Sequence, residues 1–166
     1  MLGINIVFAG FALTLNGLSY IKEFDSRARG LANAFVGTII GLNAIFQVAN
    51  ASCYVGFGIS ASMWLFAVNY FLIAAHVLLK ADNWKVYGLY SLFASVASFV
   101  FAGEALVAGL WIMFYLWCMW GGLWAQHFIA ISLDNKKVDK YTPHILILNG
   151  ITSTFVPGLL ILLGII

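Results

Sequence analysis

Long apolar runs separated by short polar connections make up almost the whole chain of 166 residues. The runs cover approximately Leu2–Tyr20, Gly30–Asn50, Ser60–Leu79, Val86–Phe101, Leu106–Ser132 and Ile145–Ile165. They approach or exceed the roughly 20 residues that an α-helix needs to cross a bilayer core. They are also too continuously apolar for the alternating strands of a membrane β-barrel. The pattern predicts an all-α integral membrane protein, a bundle of six transmembrane helices, folded as one domain over residues 1–166.

The basic residues all lie in alternate connections between these runs. They are Lys22, Arg27 and Arg29 in the first connection, Lys80 and Lys85 in the third, and Lys136, Lys137 and Lys140 in the fifth. Because cytoplasmic loops carry an excess of Lys and Arg, these three connections are expected in the cytoplasm. Six helices then place both termini on the outer side, where Glu104 is the only charge expected. A merged or split run would break the alternation, so the charges also support the count of six.

The composition excludes a soluble class. Hydrophobic residues are 63% of the chain, charged residues are 8%, and the mean hydropathy is +0.99. Soluble domains carry roughly 25% charged residues. The expected location is the cell membrane (inner or plasma), as a multi-pass protein in contact with lipid and without a nucleic-acid partner. Cys53 and Cys118 form neither a disulfide framework nor a metal motif, so no cofactor or metal is expected.

Polar and aromatic residues recur at helical spacing inside several runs. On the first predicted helix the stripe is Asn5, Ala9, Ala12, Asn16 and Ser19. On the fifth it is Trp117, Trp120, Trp124 and His127. Amide and hydroxyl stripes often join packed helices, and interfacial tryptophan belts are common. The tryptophans, however, extend over about two helical turns, whereas a belt gathers them at one depth. Packing and the lining of a solute path both stay open as interpretations of these stripes.

Ionised side chains are missing from the middle of every run. Proton-coupled carriers normally have a titrating carboxylate in the membrane, and ion channels have rings of charge or a carbonyl filter. No combination of nucleophile, base or metal ligands can be assembled, so an enzyme is not expected. His76, His127 and His144 are interpreted as packing residues near the cytoplasmic side. Amides and aromatic faces instead favour a passive path for a small, neutral, polar solute, since an apolar wall is hostile to hydrated ions.

Several short motifs resemble one known family. Met1-Leu2-Gly3 and Asn16-Gly17 look like the family's first helix, and Tyr141-Thr142-Pro143 is similar to the approach to its last helix. The most specific match is the W-x-x-W-G-x-L-W pattern from Trp117 to Trp124. The chain resembles the urea and short-chain amide channels of the AmiS/UreI family, helix for helix over nearly its whole length.

This resemblance implies a hexameric ring in which each protomer has its own pore. Urea would pass in single file between aromatic and aliphatic constrictions, and a cytoplasmic urease or amidase would be the functional partner. By position, Trp120 and Trp124 would line the constrictions. The other residues of the predicted solute path are Trp117, Leu2, Ile6, Leu13, Asn16, Tyr70 and Asn149.

The outer connections predict a pore without acid gating. They are expected around Ala51–Gly58 and Ala102–Ala105, and they are short and lack histidine, the side chain that titrates near pH 6. Acid-gated family members have long outer loops rich in histidine and carboxylates. Two other functions stay open. One is a tryptophan-rich membrane binding or sensor protein for a hydrophobic ligand, typically with five helices, and the other is a coupled carrier of small amides.

Overall fold

The computed structural model describes residues 2–166, with the side chains of all of these except Tyr54 and Val55. Met1, which belongs to the N-terminal motif, lies outside the described residues. The described part of the chain is helical and contains no strand. Its helices are α1 (Leu2–Leu18), α2 (Ser26–Ala49), α3 (Tyr54–Leu78), α4 (Lys85–Val107), α5 (Trp111–His127), the short α6 (Lys136–Asp139) and α7 (Thr142–Leu162). A π-helical turn, Phe128–Ser132, prolongs α5, and another, Gly150–Phe155, interrupts α7.

Four of these helices are long and apolar enough to cross a membrane: α2, α3, α4 and α7. Helix α1 is apolar but shorter, with 17 residues. Large apolar side chains face outward from the bundle, among them Leu42, Phe35 and Phe93. Such a surface suits lipid, where exposed hydrocarbon carries no hydration cost. The predicted class of all-α membrane protein is therefore confirmed at this level.

The connection between α4 and α5 differs from its predicted position. We expected it around Ala102–Ala105, but α4 continues to Val107 and the chain turns at residues 108–110, where Gly109 has a φ of 70°. The reason is packing, because Ala102 and Ala105 are buried on the same face of α4 as Ser91, Ser95 and Ser98. Glu104 thus lies exposed in the last turns of α4 rather than in a loop.

Small residues bring neighbouring helices close together. A Cβ added at Gly37 of α2 would lie 3.2 Å from the carbonyl oxygen of Ala67 on α3. On α4, the Ser95 hydroxyl donates a 2.9 Å hydrogen bond to the Gly121 carbonyl of α5. Small residues of α2 and α4 therefore allow these helices to approach their neighbours within one chain, which is a known use of small-residue faces in membranes.

Helix α1 packs still more closely against α7. A Cβ added at Gly10 would lie 2.7 Å from the Gly150 carbonyl oxygen, and one added at Gly3 would lie 3.0 Å from the Gly158 carbonyl oxygen. Leu162 also contacts the Gly3 position. The beginning of α1 and the end of α7 consequently lie side by side at one end of the bundle.

The π-helical turn in α7 lies just before Pro157, which has no N–H to donate. Nearby hydroxyls satisfy carbonyl oxygens in this region: Ser153 donates to the Asn149 carbonyl at 2.8 Å, and Thr154 donates to the Gly150 carbonyl. Serine and threonine commonly satisfy backbone groups in this way in membrane helices. The turn also brings Thr154 to the interior of the bundle, where it is fully buried.

Candidate functional site

A large vestibule of about 660 Å³ opens at the end of the bundle where the three basic connections meet. Arg29, Lys85 and Lys136 each come from a different one of these connections, and all three line it. The further lining residues are Leu13, Asn16, Tyr20, Ile73, Asp82, Asn83, Trp84, Tyr87, His127, Ala130, Ile131, Asp134, Asp139 and Leu146. The predicted location of the first, third and fifth connections on one side of the bundle is therefore confirmed.

Charges of both signs surround the mouth of this vestibule. The Lys136 ammonium lies 2.7 Å from Asp134 Oδ1, and this hydrogen-bonded ion pair lowers the pKa of the Asp134 carboxyl. The same contact raises the pKa of Lys136. Both groups are thus ionised at neutral pH, and their mixed sign leaves the mouth without a strong preference for anions or cations.

Deeper in the vestibule the lining is uncharged and hydrogen-bonded. Asn16 of α1 and Asn33 of α2 exchange two amide hydrogen bonds of 2.9 Å. The His127 ring lies against Tyr87, and its Nδ1 is 2.9 Å from the Leu123 carbonyl oxygen. Nδ1 must therefore carry the hydrogen and donate, which leaves Nε2 as the acceptor of the neutral ring.

A smaller cavity of about 30 Å³ lies toward the opposite end of the bundle, between α1, α3 and α5. Its volume corresponds to about two water molecules. Its lining consists of Leu2, Asn5, Ile6, Ala9, Ile40, Ser62, Met63, Phe66, Trp117, Trp120 and Thr154. None of these side chains is ionisable, so we name this space the outer cavity and regard it as a neutral compartment.

A middle layer formed by Asn69, Tyr70 and Trp124 separates the outer cavity from the vestibule. Along α1 the outer cavity ends at Ala9 and the vestibule begins at Leu13, a rise of about 6 Å. The Trp124 indole donates to Asn69 Oδ1 at 3.0 Å, and the Tyr70 hydroxyl donates to the Ala9 carbonyl at 3.0 Å. All three side chains are buried, so the layer is both narrow and hydrogen-bonded.

Phe66 is at the centre of an aromatic cluster between the outer cavity and the middle layer. Its ring centroid lies 4.9 Å from that of Trp120 in an edge-on arrangement, 5.0 Å from Trp124 and 6.2 Å from Trp117. Phe66 is not among the residues that the sequence predicts for the solute path. The signal was present, because Phe66 precedes Asn69 and Tyr70 by three and four residues on the same helical face.

The structure brings together all of the predicted path residues but one. Leu2, Ile6, Trp117 and Trp120 line the outer cavity, Leu13 and Asn16 line the vestibule, and Tyr70 and Trp124 belong to the middle layer. Asn149 lines neither space. Its amide donates to the Ile145 carbonyl at 3.2 Å and accepts from the Ser153 hydroxyl at 3.1 Å. A role of Asn149 in the path stays a prediction.

Two buried N–H donors of the outer cavity have no hydrogen-bond partner among the described residues. They are Asn5 Nδ2 and the indole Nε1 of Trp120. Asn5 is nevertheless held by its other side-chain atom, because Asn43 donates to Asn5 Oδ1 at 2.6 Å. Over the part of the chain that the structure describes, no group of three His, Cys, Asp or Glu side chains is arranged to hold a metal ion. Both cysteines are free thiols.

The fold and these spaces define a class, an all-helical membrane protein with a narrow, uncharged route through a helix bundle. The family model of the AmiS/UreI family transporters matches residues 1–165, and the chain belongs to this family. The family resemblance drawn from the sequence motifs is thereby confirmed. Membership of this family places the chain among transport proteins.

Curated relatives cover almost the whole chain. A protein of Mycolicibacterium smegmatis described as an amidate substrates transporter is 24% identical over 167 residues, which are 98% of this chain and 76% of that protein. The acid-activated urea channel of Helicobacter pylori (strain ATCC 700392 / 26695) is 25% identical over 193 residues and 97% of both chains.

Two solved structures share the fold. A cryo-EM structure of the Helicobacter pylori urea channel in a closed state matches with a TM-score of 0.85 at 24% identity, over 100% of both chains. A crystal structure of the urea channel from Helicobacter pylori matches with a TM-score of 0.82 at 22% identity, over 99% of this chain and 98% of that one. These similarities establish a common arrangement of helices.

Proposed function

We propose that the protein is a passive channel for urea and short-chain amides across the cell membrane, with one pore in each protomer. The observation that carries this proposal is the alignment of the outer cavity, the middle layer and the vestibule along α1, α3 and α5. The relatives that cover nearly the whole chain are a urea channel and an amidate transporter, which supports the choice of solute.

The chemistry of the path suits a neutral, planar solute. No ionisable side chain lines the outer cavity, and aromatic rings surround it on the α5 side. Moving an ion into such surroundings is very costly, whereas a neutral amide loses only its hydrogen bonds to water. Amide and hydroxyl side chains along the path replace part of those bonds.

The proposed topology has six spans with both termini outside. The adjacency of Gly3 and Leu162 supports an even number of crossings, because the two ends of the described chain lie at the same end of the bundle. In this topology α1 and α5, the latter with its π-helical turn, cross the membrane as well. The basic vestibule is then cytoplasmic, as the positive-inside rule requires.

We further propose that the pore is not gated by acid on the outer side. All three histidines of the chain lie toward the vestibule end: His76 stacks on Trp84, His127 lines the vestibule, and His144 is in the first turn of α7. Among the residues that the structure describes, Glu104 is the only charged side chain at the outer end.

Stopped-flow light scattering of proteoliposomes tests the proposed function directly. The purified protein should raise urea permeability well above that of empty liposomes, with no dependence on a proton or sodium gradient. A gradient-dependent flux would indicate the coupled carrier instead. No flux at all, together with termini found on opposite sides by protease access, would indicate the membrane sensor.

The assigned path is tested by Trp124→Ala, with Trp111→Ala as the control. Trp111 is on the same helix but is 66% exposed and outside both cavities. We expect the Trp124 variant to lose urea selectivity or flux while the Trp111 variant behaves as wild type. A folded Trp124 variant that conducts urea unchanged would remove the middle layer from the path.

The remaining proposals come from the family resemblance. They are a hexameric ring of single-domain protomers (residues 1–166) and a cytoplasmic urease or amidase as the functional partner. Native mass spectrometry from lipid nanodiscs tests the ring, and a stable trimer or monomer would contradict it. Co-purification with a urease or amidase tests the partner.

A further inference from the structure

The outer cavity contains two N–H donors that nothing in the described chain satisfies, Asn5 Nδ2 and Trp120 Nε1. Both residues are more than nine-tenths buried and both line this cavity. The Asn43 amide donates to Asn5 Oδ1 at 2.6 Å, which orients the Asn5 side chain and leaves its Nδ2 hydrogens free. Nearly all buried donors in proteins are hydrogen-bonded, so two unpaired N–H donors in one small cavity indicate a place where a hydrogen-bond acceptor binds.

Acceptors for N–H groups lie in the same cavity. The Ser62 hydroxyl donates to the Ile59 carbonyl at 2.7 Å, and the Thr154 hydroxyl donates to the Gly150 carbonyl. A hydroxyl that donates its only hydrogen in this way still has lone pairs that can accept a hydrogen bond. The outer cavity therefore presents two free donors and two free acceptors within about 30 Å³.

We propose that Asn5 and Trp120 together bind the carbonyl oxygen of the passing solute, while Ser62 and Thr154 accept from its N–H groups. The proposal rests on the proposed function and names the contacts that select an amide or urea. A carbonyl oxygen has two lone pairs and accepts both donors at once. The cavity holds only about two water molecules, so the solute must shed its hydration shell there, and these contacts replace it.

The test compares urea with thiourea, whose sulfur is a weaker acceptor than the urea oxygen, in wild-type, Trp120→Phe and Asn5→Leu proteoliposomes. Trp120→Phe keeps an aromatic ring and removes the N–H donor, together with part of the ring volume, and the comparison with thiourea separates the loss of the donor from the change in volume. Each variant is expected to lower urea permeability about 3- to 10-fold, the effect of one lost hydrogen bond, and to change thiourea permeability less than about twofold. Trp111→Phe and Asn50→Leu, both exposed, are the matched controls and should change neither solute.

A second measurement does not depend on flux. Solid-state NMR of ¹⁵N-indole-labelled protein in bilayers resolves the Trp120 indole signal, which is assigned by its loss in Trp120→Phe. Added urea should shift this signal, and it should leave the Trp111 signal in place.

The outcomes separate this inference from the proposed function. Equal losses for urea and thiourea in the variants, or no loss for either, overturn the carbonyl site, and so does an indole signal that urea leaves unchanged. If wild-type protein conducts urea no faster than empty liposomes, the proposed channel function is overturned instead. In that case the NMR titration by itself shows whether urea binds at Trp120.

Discussion

The indole of Trp124 connects α5 to α3 through a single buried hydrogen bond to Asn69. Both side chains are buried, so this hydrogen bond is shielded from bulk water. This makes the pair an interhelical contact as well as part of the middle layer. The contribution of this hydrogen bond to stability can be measured separately from the effect of the pair on solute flux.

Replacement of Trp124 by Phe should destabilise the protein by about 1–3 kcal/mol, because Asn69 Oδ1 is then left buried and unpaired. The measurement is thermal or denaturant unfolding in detergent micelles. Adding Asn69→Leu to this variant should recover part of the loss, since the orphaned acceptor is removed as well. Additive losses in the double variant would contradict the coupling, and Trp111→Phe should be neutral.

Phe66 limits the size of the outer cavity through its contacts with three tryptophan rings. We expect Phe66→Leu to enlarge the cavity and to raise the permeability ratio of acetamide to urea by about 3-fold, because a pocket distinguishes solutes by single methyl groups. Stopped-flow assays measure the ratio. Phe57→Leu, an exposed substitution on the same helix, is the control. An unchanged ratio would mean that another group sets the limit.

At the scale of elements, the contact between α1 and α7 determines how the bundle closes. Gly3, Gly10 and Gly17 recur every seven residues on α1, and each faces atoms of α7. Lipid offers no hydrophobic drive for helices to associate, so close van der Waals contact must supply the attraction. There is no space for a methyl group at Gly10, the middle of the three positions.

Gly10→Ala should therefore destabilise the protein by about 1–3 kcal/mol and separate α1 from α7. Gly103→Ala is a matched control, because a Cβ at Gly103 of α4 meets nothing within 4 Å. That change should be neutral or stabilise the helix by up to about 1 kcal/mol. Thermal unfolding in detergent measures both, and equal melting temperatures for the two variants would contradict the close approach.

At the scale of the whole molecule, charge is confined to the two ends of the bundle. The vestibule mouth carries the ion pair of Asp134 with Lys136, and the lowered pKa of Asp134 keeps it ionised well below neutral pH. A group whose pKa is lowered on folding loses its contribution only as the pH falls through that lowered pKa, which for Asp134 lies below its ordinary value.

Urea flux should be constant when the outer pH is varied from about 7.5 to about 5, the range in which histidine titrates, because all three histidines lie toward the vestibule end. Proteoliposomes with a fixed internal pH provide the measurement. A steep rise in flux toward acid outer pH would contradict an ungated pore. Repeating the series with the inner pH varied separates the two sides of the membrane.

Much of the architecture was predictable because its signals are local in the chain. Hydropathy and helical spacing require only neighbouring residues, and they predicted the helices, the tryptophan stripe and the sidedness of the connections. The end of α4 was misplaced because Ala102 and Ala105 resemble a connection in the sequence, yet they are buried against neighbouring helices.

The sequence by itself determined the membrane class, the alternation of charged connections and the faces on which Asn5, Asn16 and the tryptophans lie. Only the tertiary structure decided what these faces meet. It brought Phe66 among the tryptophans and placed the Asn5 and Trp120 donors in one cavity, while Asn149 bonded within its own helix. The physical reason is that the spacing of residues along a helix defines its faces but does not define which other helix each face contacts. That contact depends on close packing of small residues between segments that are distant in the sequence.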